Sequence, residues 1–276
     1  MVAGPVAPGL ESGVVALTVV TSPRRPSYRA RGLVSGLVLA LVALAASCAG
    51  SATDATPPTS TTAPFAEPPA LDDTLTAVAQ NANLSVVRVG VVGCGTEGSG
   101  TGIVVGDDLV VTAGHVVLGA VKVEVSHDRQ LVRGAQVVAI DPTLDLAFVR
   151  TPGLGGVAVG FADAAPGDIG IVVGRPRGVL ELRPYGVQRV DTVSVPRIDG
   201  AGRTDRRVMV LAADLSPGES GAPLLDADGH VAGIAFGVDD GTPGRAFALP
   251  SATLRGALAA VLADPGGSVA PPDCPQ

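Results

Sequence analysis

The chain has 276 residues, of which 46% are hydrophobic and 16% charged, and its formal net charge is −7 at pH 7. Four arginines fall within the first 31 residues, so the remainder is more acidic than that figure. An acidic surface without a lysine and arginine cluster lacks the contacts that phosphate groups need, which excludes nucleic acid as an expected partner.

The first 48 residues have the pattern of an export signal. The four arginines precede an uncharged run rich in leucine and valine, residues 32–47, which is shorter than the roughly 20 residues needed to span a bilayer. Small residues then precede Cys48, which resembles a bacterial lipobox. We expect Cys48 to be acylated and to anchor the protein to a membrane outside the cytoplasm. The alternatives are a cleaved signal peptide, which gives a secreted protein, and an uncleaved anchor.

The next two segments differ in composition. Residues 49–70 are rich in Ser, Thr, Ala and Pro and nearly free of large apolar side chains, so we expect a disordered linker. Residues 71–276 are long enough for one hydrophobic core, and we expect them to form one folded domain. We expect this domain to be a monomer.

Short segments rich in Val and Ile dominate the folded domain. Roughly a dozen of them occur between residues 84 and 249, each bounded by Gly, Pro or Asp, which predicts an all-β, antiparallel barrel or sandwich. An acidic first turn followed by apolar residues at helical spacing predicts a short helix over 72–83. The Ala/Leu-rich run 251–262 predicts a closing helix.

His115 and Asp145 each adjoin an apolar segment. His115 follows such a segment, whose end would present the imidazole at a domain edge, whereas His127 and His230 lie in polar turns. Asp145 precedes the apolar residues 146–149, and a carboxylate at the mouth of a buried strand needs a partner. An imidazole N–H is one such partner. The alternative roles are a structural histidine and a turn or strand-end aspartate.

Ser220 lies in a glycine-rich segment, Pro217 to Pro223. Gly218 and Gly221 surround it and permit backbone angles closed to other residues. We expect the N–H groups of Gly218 and Ser220 to form an oxyanion hole. Ser220 as nucleophile, His115 as general base and Asp145 as orienting carboxylate complete the groups that acyl transfer requires, without a cofactor. No CxxC or HxxxH spacing occurs, so we expect no metal.

Three cysteines remain to be assigned. If Cys48 carries lipid, Cys94 and Cys274 are left as a pair, and an exported chain is where a disulfide persists. Two free thiols are the alternative.

The three segments around His115, Asp145 and Ser220 resemble the His, Asp and Ser motifs of the chymotrypsin/trypsin-like serine proteases. The resemblance covers about residues 80–250 and is closest to the membrane-tethered MarP-type proteases of actinobacteria, which also pair a cysteine near the domain start with one near its end. It implies two six-stranded antiparallel barrels with the Ser-His-Asp triad in the cleft between them. It also implies serine endopeptidase activity on protein or peptide substrates.

Two residues near Ser220 depart from the family pattern. Glu219 occupies a position that usually holds Asp or Asn, and Ala222 replaces a glycine. In zymogen-activated trypsins the Asp pairs with a newly cut N-terminus, and the longer Glu219 is not expected to do so. We therefore expect activation to depend on another contact.

The family pattern also suggests residues for substrate binding. Asp214, six residues before Ser220, would reach the primary specificity pocket and favour Arg or Lys, unless it is a buried loop or strand-end carboxylate. Phe236, Gly237 and Val238 would lie beside the substrate backbone as an added-strand partner.

Two functions from different classes fit the sequence. The first is an active serine endopeptidase of the cell envelope. The second is a pseudoenzyme, a protease-fold binding or scaffold module that has kept the motifs. An α/β-hydrolase fits poorly, because the chain lacks a Gly-x-Ser-x-Gly elbow and its histidine precedes its serine.

Overall fold

The computed structural model describes residues 66–270 of the chain, except Thr96 and Arg129. The expected leader with Cys48, most of the expected linker and Cys274 lie outside the described residues. Within 66–270, no helix is both long enough and apolar enough to cross a membrane.

The first half of the fold is a seven-stranded antiparallel sheet. Its strands are β1 (Val86–Val92), β2 (Glu97–Gly106), β3 (Leu109–Ala113), β4 (Lys122–His127), β5 (Gln130–Arg133), β6 (Gln136–Asp141) and β7 (Leu146–Arg150). Their order in space is β5-β4-β1-β2-β3-β7-β6, so β3 and β7 are direct neighbours. Because Ala113 pairs with Leu146, the residues that follow β3 lie beside the residue that precedes β7.

The second half is a closed, six-stranded antiparallel barrel. Its strands are β8 (Ile169–Gly174), β9 (Glu181–Pro196), β10 (Arg203–Ala212), β11 (Pro223–Leu225), β12 (Val231–Val238) and β13 (Arg245–Pro250). The order is β10-β13-β12-β11-β8-β9, and pairing of β9 with β10 closes the ring. The loop between β10 and β11 contains Ser220.

The prediction of an all-β, chymotrypsin-like fold of two antiparallel halves is confirmed. Two details of the first half differ from the expected six-stranded barrel: it has seven strands, and its sheet does not close into a ring. The predicted segment 131–139 contains Gly134, whose φ of +70° is a left-handed conformation that glycine adopts without strain. The chain turns there, and the segment divides between β5 and β6.

Three helices accompany the strands in the described part of the chain. The first, α1 (Asp73–Asn81), begins at Asp72, whose Oδ1 accepts the Leu75 N–H at 2.8 Å. The last, α3 (Ser251–Ala263), follows β13 directly. Both helices were expected from the sequence. The four-residue α2 (Gly114–Val117), which carries His115, was not expected.

A single apolar cluster joins the two halves. It combines side chains of the first sheet, such as Val111 and Leu146, with barrel side chains such as Ile171 and Ile234 and with Leu254 of α3. Burial of this shared surface holds the halves against each other. Residues on the loops of both halves can therefore be brought into one site.

Candidate active site

His115 and Asp145 form a side-chain pair at the edge of the first half. His115 Nδ1 lies 2.9 Å from Asp145 Oδ2 and 3.1 Å from Oδ1, and the His115 backbone N–H donates to Oδ1 at 2.8 Å. Asp145 is 2% exposed, whereas the His115 side chain is 31% exposed. A carboxylate only accepts hydrogen bonds, so Nδ1 carries the proton and Nε2 is left as the basic nitrogen.

The backbone around Asp145 is held in an uncommon conformation. Asp145 has φ of +58°, in the left-handed region that non-glycine residues rarely adopt. Its carbonyl accepts the Gly114 N–H at 2.9 Å. Just before it, Asp141 Oδ1 accepts the N–H groups of Thr143 and Leu144 at 2.8 and 3.0 Å. This turn gives Asp145 the orientation from which its carboxylate reaches His115.

Ser220 is half-buried and belongs to the second half. Its loop lies close to β2 of the first half. Its carbonyl accepts the Thr101 N–H of β2 at 2.8 Å. A Cβ atom added at Gly100 would come 2.9 Å from that carbonyl and 2.6 Å from the side chain of Val116. Gly100 therefore lets the Ser220 loop and the helix of His115 come close together. Ser220 Oγ has no hydrogen-bond partner among the described residues.

Two backbone N–H groups in the Ser220 loop are available to a ligand. Within residues 66–270, the N–H groups of Gly218 and Ser220 donate to no acceptor, while those of Glu219 and Gly221 are bonded to backbone carbonyls. Gly218 has φ of +91°, a conformation that requires glycine. Two unengaged donors beside a serine hydroxyl are the arrangement that stabilises an oxyanion.

Thr101 attaches this loop to the first half. It is fully buried, its Oγ1 donates to the Gly218 carbonyl at 2.9 Å, and the same Oγ1 accepts the Arg175 N–H at 2.9 Å. Together with the bond from the Thr101 N–H to Ser220, these contacts fix the carbonyls on either side of Glu219. The only sequence sign of Thr101 is a small polar residue between two glycines in a buried strand, a pattern too common to indicate a role.

Glu219 was not expected to pair with a newly cut N-terminus, and the structure shows which residues it contacts instead. It is 1% exposed, its Oε1 accepts Arg183 Nε of β9 at 3.0 Å, and its Oε2 accepts the Ser216 N–H at 2.5 Å. Burial raises the pKa of Glu219, while the bonds from Ser216 and Arg183 oppose that rise. Partial burial acts to lower the pKa of Arg183, but Glu219 outweighs it and the pKa is raised. The positive charge of Arg183 therefore neutralises the carboxylate of Glu219, the residue that precedes Ser220.

Asp214 is exposed and borders an open pocket of the second half. Pro243, Gly244 and residues 66–69 also line this pocket. A Cβ atom added at Gly244 would lie 3.6 Å from Asp214 Oδ1, so the absence of a side chain there leaves the carboxylate accessible.

Phe236, Gly237 and Val238 form the end of β12. On one edge, Gly237 and Val238 pair with β13. On the other edge, β11 pairs with β12 only as far as Ile234, so no described strand covers residues 236–238 there. The Phe236 ring is buried and stacks on Phe247, with ring centroids 6.3 Å apart. The backbone of this segment, rather than the Phe236 ring, is therefore available for strand addition.

The two other histidines lie apart from this site. His127 Nε2 bonds the Leu154 carbonyl at 3.1 Å, and His230 is exposed in a turn. One group in the described part of the chain, Asp226, Asp228 and His230, has potential metal-ligand atoms within 4.8 Å of one another. Two of its members are exposed, and none touches the His115–Asp145 pair.

The fold and the site define a chymotrypsin-like class of protein, and comparison with known proteins identifies its family. Residues 100–234 match the model of the trypsin-like peptidase domain. The serine protease Rv3671c of Mycobacterium tuberculosis H37Rv is 35% identical over 170 residues, 59% of this chain and 42% of that protein. The structure of the active form of the M. tuberculosis Rv3671c protease aligns with a TM-score of 0.67 at 31% identity, covering 76% of this chain and 92% of that one. The chain belongs to the trypsin-like serine peptidase family.

Other relatives agree with this placement. The putative serine protease HhoB of Synechocystis is 33% identical over 172 residues, 58% of this chain and 39% of that protein. A structure of the HtrA-type protease AlgW with a tripeptide has a TM-score of 0.60 at 21% identity, covers 70% of this chain and 64% of that one, and shows the shared fold. The chain spans less than half the length of the curated relatives it matches.

Proposed function

We propose that the protein is a serine endopeptidase of the cell envelope that uses Ser220, His115 and Asp145 as its catalytic triad. The observation that carries this proposal is the bond between His115 Nδ1 and the buried Asp145, at 2.9 Å, in a site that also holds two unengaged N–H groups beside Ser220. A structural histidine would not need either the buried carboxylate or the free amides.

The chemistry follows from these positions. Ser220 Oγ attacks the substrate carbonyl as its proton passes to His115 Nε2, and Asp145 stabilises the imidazolium through Nδ1. The N–H groups of Gly218 and Ser220 bind the oxygen as it becomes negative, which contributes about 3 kcal/mol per donor. His115 then protonates the leaving amine. Water, deprotonated by the same histidine, releases the acyl group from Ser220.

The substrate would bind as an extra strand. The uncovered edge at residues 236–238 offers backbone donors and acceptors to an extended peptide, which supports a protein or peptide substrate. The exposed Asp214 beside Gly244 supports a preference for Arg or Lys in the primary pocket. Peptide libraries that vary the residue before the cut would test this preference, which Asp214→Ser should abolish.

We also propose the division into a leader (1–48), a linker (49–70) and a protease domain (71–276), with lipid on Cys48. Relatives include proteins described as probable periplasmic serine endoproteases, which supports a location outside the cytoplasm. If Cys48 is acylated, Cys48→Ser should leave an unprocessed precursor in the membrane. Normal processing and soluble release of that variant would instead indicate a plain secretion signal.

A disulfide between Cys94 and Cys274 completes the proposal. The proposed partner of Cys274 is Cys94. It follows β1 directly, where the Val121 N–H donates to the Val92 carbonyl at 2.8 Å, and a groove runs from there to β6. At the far end of that groove the Val269 N–H donates to the Val137 carbonyl at 2.9 Å. The four residue steps from 270 to 274 can span at most about 13 Å.

Labelling with a fluorophosphonate tests the catalytic proposal on the full chain, because this reagent modifies only an activated serine. We expect the wild type to be labelled and Ser220→Ala not to be labelled. Ser194→Ala, which changes an exposed serine of β9, is the matched control and should label normally. No labelling of folded wild type across a range of pH would favour a protease-fold binding module.

A further inference from the structure

Arg206 is a buried arginine that the proposed reaction does not use. It belongs to β10 of the second half and is 3% exposed. Its Nε donates to the Thr143 carbonyl at 2.9 Å, and its Nη1 lies 3.9 Å from Asp145 Oδ2. Its guanidinium also lies over the Phe236 ring, 4.9 Å from the centroid. One side chain of the second half thus reaches the turn that orients the Asp145 carboxylate of the first half.

The charge of Arg206 has few other partners. Burial lowers the pKa of Arg206, and the charges of Asp145 and Asp141 oppose part of that effect. An arginine guanidinium stays protonated in proteins, so a positive charge lies beside the Asp145 turn. Its Nη2 is buried without a hydrogen-bond partner among the described residues. Asp145 is the carboxylate within ion-pair distance of it in that part of the chain.

The remaining contacts of the Asp145 turn come mainly from its own half. His115 and Gly114 of α2 and Asp141 of β6 all belong to the first sheet or its connections. Those contacts fix the Asp145 carboxylate relative to His115, but they do not fix its position relative to Ser220. From the half that carries Ser220, the Ile198 N–H donates to the Pro142 carbonyl at 3.4 Å, and the Arg206 side chain reaches Thr143 and Asp145 themselves.

We propose that Arg206 is a positioning residue for the triad, which attaches the Asp145 turn to the second half and keeps the Asp145 carboxylate oriented toward His115. This inference rests on the proposed function. Arg206 touches neither Ser220 nor His115 in the contacts of the structure, so it acts through Asp145. Without it, the turn keeps the long backbone bond from Ile198 to the Pro142 carbonyl, at 3.4 Å, but the Asp145 carboxylate loses its contact with the second half, and the base loses its alignment with Ser220.

Three substitutions at Arg206 separate its contributions. Arg206→Met removes the charge and the donor, Arg206→Gln keeps a donor for Thr143, and Arg206→Lys keeps a donor and the charge. We expect kcat for a peptide substrate to fall about 100-fold in the Met variant, about 10-fold in the Gln variant and least in the Lys variant, because a shift of about 1 Å has effects of this size. KM should change little, since Arg206 contacts the ring of Phe236 and not the backbone edge of residues 236–238, where the substrate is proposed to bind.

Arg207→Met is the matched control, because Arg207 is the exposed neighbour on the same strand, and it should keep wild-type kcat. The low-field proton resonance of the His115 Nδ1–H reports the bond to Asp145 directly, and it should weaken or move in the Met and Gln variants but not in the control. A merely structural arginine would lower the melting temperature without this selective loss in kcat and in the resonance.

The outcomes are distinguishable from those of the proposed function. If the wild type cleaves peptides through Ser220 but folded Arg206→Met or Arg206→Gln retains wild-type kcat and an unchanged resonance, the positioning role is wrong. If Arg206→Met does not fold, the kcat values of Arg206→Gln and Arg206→Lys are compared instead. Equal kcat in those two variants would show that the charge of Arg206 does not position Asp145. Absence of Ser220-dependent activity in the wild type would overturn the proposed function itself.

Discussion

The two halves of the candidate site are held by different kinds of contact. On the first half, His115 and Asp145 bond each other directly, within a stretch of chain whose turns come from their own sheet. On the second half, the Ser220 loop bonds Glu219 to its own Ser216 N–H, but its carbonyls are fixed by Thr101 of the other half and its acid also by Arg183 of the barrel wall. The proposed base is thus bonded mainly within its own half, with Arg206 as a contact from the other, whereas the loop of the proposed nucleophile depends on packing between distant segments.

Removing either member of the reacting pair is the most severe test of this contrast. Ser220→Ala and His115→Ala should each lower kcat about 10⁶-fold, with Asp145→Asn less damaging at about 10⁴-fold, because nucleophile and base act as a unit. Peptidase assays with purified variants measure this, and circular dichroism checks that each variant folds. Full activity in His115→Ala would remove the mechanism proposed for Ser220.

The disulfide should affect stability on the side of the first half. Closing a loop of about 180 residues is assigned roughly 5 kcal/mol by the chain-entropy model, so reduction should lower the melting temperature and expose the tail to proteolysis. Both ends of the groove lie on the first sheet, so reduction should not by itself disorder the Ser220 loop. Mass spectrometry of the unreduced protein provides the check, and two free thiols at Cys94 and Cys274 would refute the bridge.

Thr101 tests whether the oxyanion donors depend on the first half. Thr101→Val keeps the shape but removes the hydroxyl that donates to Gly218, so the loop can turn away from its reactive arrangement. We expect kcat to fall about 100-fold, the loss typical of one oxyanion donor, while KM changes little. Thr101→Ser retains the hydroxyl and should recover most of the activity. Equal kcat in the Val and Ser variants would show that the backbone contact to Ser220 is sufficient.

The smallest expected effect is that of Glu219 on the melting temperature, and the raised pKa of Glu219 fixes how this effect changes with pH. Burial raises its pKa above the ordinary value of 4.5, so its contribution to stability is complete below that value and decreases as pH rises through the higher folded-state pKa. Glu219→Gln does not titrate. The melting temperature of wild type minus that of the variant should therefore decrease with rising pH across the weakly acidic range and then become constant. A difference that increases with pH would contradict the assigned direction.

The sequence predicted the parts of the fold that depend on local pattern. Short segments rich in Val and Ile, bounded by turn residues, identified nearly all the strands. The acidic turn at Asp72 identified the start of α1. Both signals depend on a few neighbouring residues. The four-residue α2 escaped because Gly114–Val117 is too short to show a helical period. The division of 131–139 into β5 and β6 depends on one glycine in a left-handed conformation.

For the candidate site, the sequence indicated the groups that are proposed to react and missed the residues that contact them. His115, Asp145 and Ser220 are visible because each lies in a motif, and the structure brings the first two into direct contact. Thr101, Arg183 and Arg206 are 119, 37 and 14 residues from Ser220 in sequence, as counted along the chain, and no local pattern links them to it. Contacts of this kind arise from the packing of two sheets, which periodicity alone does not specify.

The partner of Glu219 is supplied by β9, so the ion pair forms when the barrel folds rather than when a peptide bond is cut. The two partners are not equivalent, because the Glu219 side chain is fully buried whereas that of Arg183 is 34% exposed and also pairs with Glu181. Loss of Arg183 therefore leaves a carboxylate where water cannot reach it, while loss of Glu219 leaves an arginine that solvent and Glu181 still accommodate. Position 183 should consequently tolerate substitution less well than its exposure suggests.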